Sequence, residues 1–327
     1  MMQGGNLFFQ GEFARAQDHA EQGLTLYDPL QHRALIFLYG DDPQVLCHCW
    51  AALALWYLGH PNQAMERINE ALRIAEDLSY PFGLAFARFW TVFLHQSRRE
   101  LQRTQEQTEA LVTFAQAQGI PQFASMGTIL RGWALAKQGH EGEGIAQIRQ
   151  GMAGLRTVGQ ELGRPYFSAL LAEAYRQGGQ VAEGLNVLTE ALAITHKTGE
   201  CMHQAELYRL QGELLSSDER GTRNDERKTH KKAQSASSIH RSAFRTYHSV
   251  EAEACFQKAV EIARRQSAKS LELRAAMSLS RLWQRQGKAK QAHKMLAGIY
   301  SWFTEGLDTK DLQEAKALLA ELEAGSA

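Results

Sequence analysis

Proline is scarce in this chain, with six in 327 residues. Helices accept proline only in their first turn, so its scarcity leaves long stretches free to coil, and Ala, Leu, Glu, Gln and Arg fill them. Apolar–polar alternation bounded by turn residues is almost absent, which argues against a sheet. Cysteine is rarer still: the four residues fall in no paired-motif spacing, which fits free thiols in a reducing cytoplasm and no disulfide framework. Charge of one sign is missing too, since 36 basic side chains balance 36 acidic ones. The molecule as a whole therefore does not attract nucleic acid or an anionic membrane. The most apolar stretch, CWAALALWYLG, is too short to span a bilayer, and the opening MMQGGNLFFQGEF lacks the basic and apolar regions of a secretory leader. What these absences leave is a helical, cytoplasmic chain with no nucleic-acid and no membrane partner.

Small residues recur in a ladder. From Gly132 the next rungs lie 12 and 19 residues on, at Gly144 and Gly151. The same steps give Gly4–Ala16–Gly23, Ala52–Ala64–Ala71, Ala172–Gly184–Ala191 and Ser280–Ala292–Ile299, with Thr91–Arg103–Ala110 as a degenerate copy. Another copy begins at Gly212 and resumes at Ala252–Ala259 after an insertion. A large apolar residue follows each third rung, as Leu24, Leu72, Met152 and Leu192 do. Two antiparallel helices approach closely only where both carry small side chains, with larger ones filling the flanking grooves. Polar turns such as LGHPNQA, KQGHEGE and RQGGQVA separate the first and second rungs, and their glycine supplies a left-handed helix stop.

The ladder also disposes of a phosphate-binding reading of AKQGHEGEGIAQIRQGMAGL (136–155). Gly139 stops a helix, and Gly144 and Gly151 are crossing points. Gly142 and Gly154 are expected on exposed helix faces. Neither G-x-x-x-x-G-K-[ST] nor a strand-flanked G-x-G-x-x-G is present. Residues 216–250, rich in Ser, Arg, Lys and His, have too few apolar side chains to fold and are expected as a flexible basic insertion within one repeat. The division is then 1–215 repeats, 216–250 insertion, and 251–327 last repeats with a capping helix, all one continuous solenoid.

No residue set reads as a metal or catalytic site, and no cofactor is expected. Cys47 and Cys49 sit two apart on a helix and point about 200° from one another, so they cannot share one zinc ion. Cys201, His203 and Cys255 read as packing residues. Asp41/Asp42 and Glu141/Glu143 lie at helix starts, where carboxylates suit the helix dipole. Trp50, Trp56, Trp90, Trp283 and Trp302 fall at core or near-core spacing.

The ladder resembles the tetratricopeptide repeat, with copies spaced nearer about 40 residues than the standard 34 or so. Longer stretches, among them YDPLQHRALIFLYGDDPQVLCHCWAALALWYLGHPNQA, GTILRGWALAKQG, ELGRPYFSALLAEAY and GLDTKDLQEAKALL, look like the C-terminal repeat region of bacterial signalling proteins. In that group an adenylate/guanylate cyclase domain and an AAA-like ATPase module precede the repeats. Nothing here matches the cyclase or ATPase motifs, so no catalytic residue carries over and the chain is not read as an enzyme. The resemblance implies a sensing or docking arm.

The expected fold is all-α: a right-handed superhelical solenoid of about seven helix pairs, closed by the C-terminal helix DLQEAKALLAELEA. In the tetratricopeptide register the concave groove takes Arg88 and His95, Trp133 and Lys137, Glu173 and Arg176, then Glu206, Arg209 and Glu213, and last Arg274, Arg281 and Arg285. Arginine there suits an acidic protein or peptide ligand. The alternative is pairing within the groove with Glu173, Glu206 and Glu213. The candidate partner-binding residues are Arg88, Trp133, Lys137, Arg176, Arg209 and Arg281. The function expected is a non-enzymatic protein–protein interaction scaffold; the alternative is a ligand-sensing domain that controls a nucleotide cyclase or ATPase module in cis or trans.

Overall fold

The computed structural model describes residues 2–36, 40–229 and 236–325. Among them are sixteen α-helices and no strand. In chain order they are α1 (Met2–Phe9), α2 (Phe13–Leu26), α3 (Pro29–His32), α4 (Pro43–Leu58), α5 (Pro61–Leu78), α6 (Pro81–Ser97), α7 (Leu101–Ala117) and α8 (Pro121–Lys137). There follow α9 (Glu141–Thr157), α10 (Arg164–Gln177), α11 (Val181–Thr198), α12 (Gln204–Thr229), α13 (Ala236–Arg265), α14 (Lys269–Arg285), α15 (Ala289–Tyr300) and α16 (Lys310–Ala324). Pro29, Pro43, Pro61, Pro81, Pro121 and Pro165 each sit in the first two positions of a helix, where the missing N–H costs nothing.

Consecutive helices form seven antiparallel pairs: α1/α2, α4/α5, α6/α7, α8/α9, α10/α11, α12/α13 and α14/α15. Helix α3 links the first two pairs, and α16 covers the last. This is an all-α helical-repeat solenoid. The small-residue rungs are its crossing points. A Cβ on Gly132 would stand 2.6 Å from the Gly144 carbonyl oxygen, and one on Gly144 would stand 2.5 Å from that of Gly132. Gly139 ends the turn between them at φ 91°. Gly142 is exposed as expected, but Gly154 is half-buried against Ser125.

The degenerate rung is one residue out of register. Arg103 and Ala110 are exposed, whereas Thr104 and Leu111 are fully buried. The ladder here is Val92–Thr104–Leu111, because the left-handed turn residue is Arg99 (φ 63°), seven residues after Val92 as Gly139 is after Gly132. Helices α12 and α13 enter the expected insertion 216–250 from both sides, and its centre, 230–235, lies outside the described residues.

The superhelix curls until its two ends meet. The backbone N–H groups of Cys201 and Met202, which precede α12, donate to the Phe9 carbonyl at 2.7 and 3.0 Å. Ser270 of α14 donates to the Trp56 carbonyl of α4 at 2.6 Å. Glu305 accepts from the N–H groups of Asn62 and Gln63 at 2.9 and 3.3 Å, so the C-terminal region caps helix α5. Phe8 lies fully buried against Phe13, Trp50, Tyr57 and Trp90. A core built from α1, α2, α4 and α6 continues without a break to Ile262, Ala268 and Leu271. The open concave groove expected from the repeats is thus closed by contact between its ends.

Candidate functional site: an inner chamber where the ends of the solenoid meet

Closure leaves a cavity of about 360 Å³, walled by the first helices of pairs three to seven and by the capping helix. Each wall helix contributes residues three or four apart, which share one helical face. From α12 come Glu206, Arg209, Leu210 and Glu213; from α14 come Arg274, Met277, Ser278 and Arg281. Helix α10 gives Ala169, Leu170, Glu173 and Arg176, α8 gives Trp133 and Lys137, and α16 gives Asp311 and Glu314. Arg99 comes from the turn after α6.

Of the lining side chains six are cationic and five are carboxylates, and nearly all are paired. Glu173 accepts from Lys137 at 2.5 Å and from the Trp133 indole N–H at 2.7 Å. Burial by itself would raise its carboxyl, but the Lys137 ammonium and these two donors hold it well below the usual range. Arg209 grips Glu206 with two hydrogen bonds, 2.6 and 2.8 Å. The same contest between burial and the guanidinium takes Glu206 down to about 2. Glu213 accepts from Ser278 at 2.7 Å and lies 3.4 Å from Arg209. Burial works against its charge, but Arg209, Ser278, Arg176 and Arg281 together lower its pKa.

Asp311 joins the two ends of the chain. One oxygen accepts from Arg99 at 3.1 Å, the other from Arg274 at 2.7 Å, and Arg274 also donates to the Ser97 carbonyl. Glu314 stands 3.0 Å from Arg99 and 3.5 Å from Arg281. Arg99 occupies a left-handed position that Gly139, Gly179 and Gly287 fill in the corresponding turns. A non-glycine residue there costs about 1 kcal/mol, which its ion pairs offset. His203, buried and in contact with the Tyr57 hydroxyl at 3.1 Å, is lowered by burial to about 4 and is neutral at pH 7. Glu173, Glu206, Glu213 and His203 are all held away from neutral pH, which suits charge recognition better than proton transfer.

Arg176 differs from the other cations. Its Nε is buried without a hydrogen-bond partner, and among the described residues its guanidinium makes no ion pair. It stands beside open volume with its charge unmatched at contact distance.

Of the predicted partner-binding residues, the chamber brings together Trp133, Lys137, Arg176, Arg209 and Arg281. Arg88 is elsewhere, its guanidinium 4.5 Å over the Phe114 ring between α6 and α7. His95, also expected in the groove, turns to Glu100 at 2.6 Å. Trp133 is only 3% exposed, so it acts through its N–H on Glu173 rather than as an open stacking platform. Trp302, expected near the core, is 39% exposed and packs on His60. The intra-groove pairing weighed above does form, but buried rather than solvated. Arg99, Asp311 and Glu314 were missed. A hint existed in Arg99 standing where related turns have glycine; nothing in the repeat register assigns the capping helix to the groove.

Cys47 packs against Gly23, Cys49 is fully buried, and burial pushes both thiols up. No group of His, Cys, Asp and Glu suited to a metal ion occurs among the described residues. Nor is any described helix long and apolar enough to cross a membrane.

No protein-family model matches the chain. An uncharacterized protein of Rhizobium meliloti (strain 1021) is 23% identical over 208 residues, 63% of this chain and 20% of that protein. The chain thus spans about one fifth of the length of that relative. A solved structure of a monomeric IFIT1 mutant with Gppp-AAAA superposes with a TM-score of 0.53 at 16% identity, covering 90% of this chain and 58% of that one. The tetratricopeptide-repeat domain of P58(IPK) aligns over 98% of this chain and 97% of its own at 14% identity, with a TM-score of 0.23. The fold of this chain is a tetratricopeptide-like helical-repeat solenoid.

Proposed function

We propose that this chain is a non-enzymatic recognition module that takes a carboxylate-bearing ligand into its inner chamber. One observation carries the reading: the Arg176 guanidinium, which makes no ion pair among the described residues, lines a cavity of about 360 Å³ in which the other cations already have carboxylate partners. A guanidinium binds a carboxylate through two parallel hydrogen bonds, and a partly buried one lacking an acceptor favours any ligand that supplies it. The volume sits at the lower end of small-ligand pockets, roughly 300–1,000 Å³. It admits a small acid or the acidic end of a peptide, not a folded domain. Polyphosphates such as the Gppp-AAAA of the IFIT1 structure call for several unpaired cations, and the five chamber carboxylates oppose them.

A second reading places this module within a longer bacterial signalling protein, where an occupied chamber regulates a nucleotide cyclase or ATPase. What favours it is the wall itself: Arg99 comes from the N-terminal half, Arg274 and Asp311 from the C-terminal end, so a ligand bears on both at once. The Rhizobium meliloti relative, about five times as long as the matched stretch, leaves room for such modules.

The test is calorimetric titration with free-carboxylate dipeptides and their C-terminally amidated counterparts. Wild type is expected to bind at least one free-carboxylate probe, and Arg176→Ala to weaken it about tenfold or more. Arg88→Ala, outside the chamber, is expected to leave it unchanged. Equal loss in both variants, or no binding of any free-carboxylate probe, overturns the proposal. Arg209 is unsuitable for this test, since reversing its charge would set two buried carboxylates against a third.

A further inference from the structure

The chamber's charges define its ligand more narrowly, granted the reading just given that a carboxylate enters there. We infer that the ligand is a small zwitterion with one carboxylate and one ammonium, the class of free amino acids. Arg176 supplies one unmatched positive charge, which answers one carboxylate. A dicarboxylate or a phosphate dianion would bring its second charge towards Glu173, Glu206 and Glu213, which are buried and already ionised.

An acceptor for the ammonium stands on the neighbouring first helix, α12. Glu213 uses Oε1 for both Ser278 and Arg209, and its Oε2 has no partner among the described residues. The Ser278 hydrogen bond and the neighbouring Arg209 fix this carboxylate before any ligand arrives, which reduces the ordering cost of binding. Arg176 and Glu213 face the same cavity closely enough for the guanidinium to lower the carboxyl pKa. Leu170, Leu210 and Met277 also line the cavity, each almost fully buried. The site thus presents a cation and an anion around a space of small-molecule size.

Thermal-shift titration of the full chain with the standard L-amino acids identifies the strongest binder. Calorimetry then compares that amino acid with its amine lacking the carboxylate, its acid lacking the ammonium, glutarate and inorganic phosphate. The amino acid should bind about tenfold or more tightly than either one-ended analogue, since each end makes a charge-assisted hydrogen bond. Arg176→Ala should weaken the amino acid and the one-ended acid alike. Glu213→Gln, which keeps a hydrogen bond with Ser278, should weaken the amino acid but not the one-ended acid, which meets one negative charge fewer. Circular dichroism and melting temperature check that both variants remain folded. If the one-ended acid equals the amino acid, or glutarate or phosphate exceeds it, the zwitterion inference fails while carboxylate recognition stands. Absence of binding by every amino acid and every acid would remove both.

Discussion

At the scale of single residues, the buried carboxyl of Glu200 governs an unusual pH response. It is 6% exposed and accepts the Gly163 N–H at 3.0 Å, which holds the start of α10 against the link between α11 and α12. Burial raises it to about 7 in spite of that donor. The folded pKa thus lies above the unfolded one, near 4.5, and the folded state keeps a proton that the unfolded chain releases. Stability from this group is complete below about pH 4.5 and declines as pH rises to about 7, by up to about 3 kcal/mol. Glu100 and Glu206, both taken down to about 2, have the opposite sign: their contribution is complete above about pH 4.5 and is lost as pH falls towards 2. Glu200→Gln keeps the acceptor and removes the titration. Melting temperatures from pH 5 to pH 8 should show the variant gaining on wild type as pH rises; parallel curves would refute the assignment.

At the scale of elements, the α8/α9 crossing separates glycines that matter from glycines that do not. Gly132→Ala places a methyl against the Gly144 carbonyl and the Ile148 backbone, neither of which can yield without parting the helices. We expect a loss of about 2 kcal/mol or more, in the range of overpacked cores. Gly142→Ala, ten residues on along the chain and meeting nothing within 4 Å, should stabilise by about 0.5 kcal/mol through the unfolded state. Urea denaturation of the two variants reads both signs. The repeat period made this contrast legible in advance, because the crossing residues fall in one register. The slip at Thr91–Arg103–Ala110 shows the limit of that legibility: with Arg99 in the turn, no glycine marks where the helix stops.

For the whole molecule, the contact between its ends is what turns a concave surface into a chamber. Arg274 carries much of it, reaching Asp311, the Ser97 carbonyl and the face of Trp56. Arg274→Ala leaves Asp311 partly uncompensated and should cost about 3 kcal/mol. Asp311→Ala made together with it should cost less than the two single losses added, because the partners act as a unit. If the seam sets the overall shape, small-angle scattering should report a larger radius of gyration for Arg274→Ala. An unchanged radius and an additive double variant would mean that the aromatic core around Phe8 closes the ring without it.

The helices, their pairing and most of the chamber-lining residues follow from local rules. Proline marks helix starts, small residues mark crossings, and a fixed register aligns Trp133, Arg176, Arg209 and Arg281 on one face. Those rules act over one helix or one pair, and sequence alone carries them. Tertiary structure decided the rest. Closure depends on small rotations that accumulate from the second pair to the seventh until α4 meets α14, and no single repeat contains that sum. Only then do Asp311 and Glu314 of the capping helix reach Arg99, leaving Arg176 as the chamber cation with no carboxylate at contact distance among the described residues.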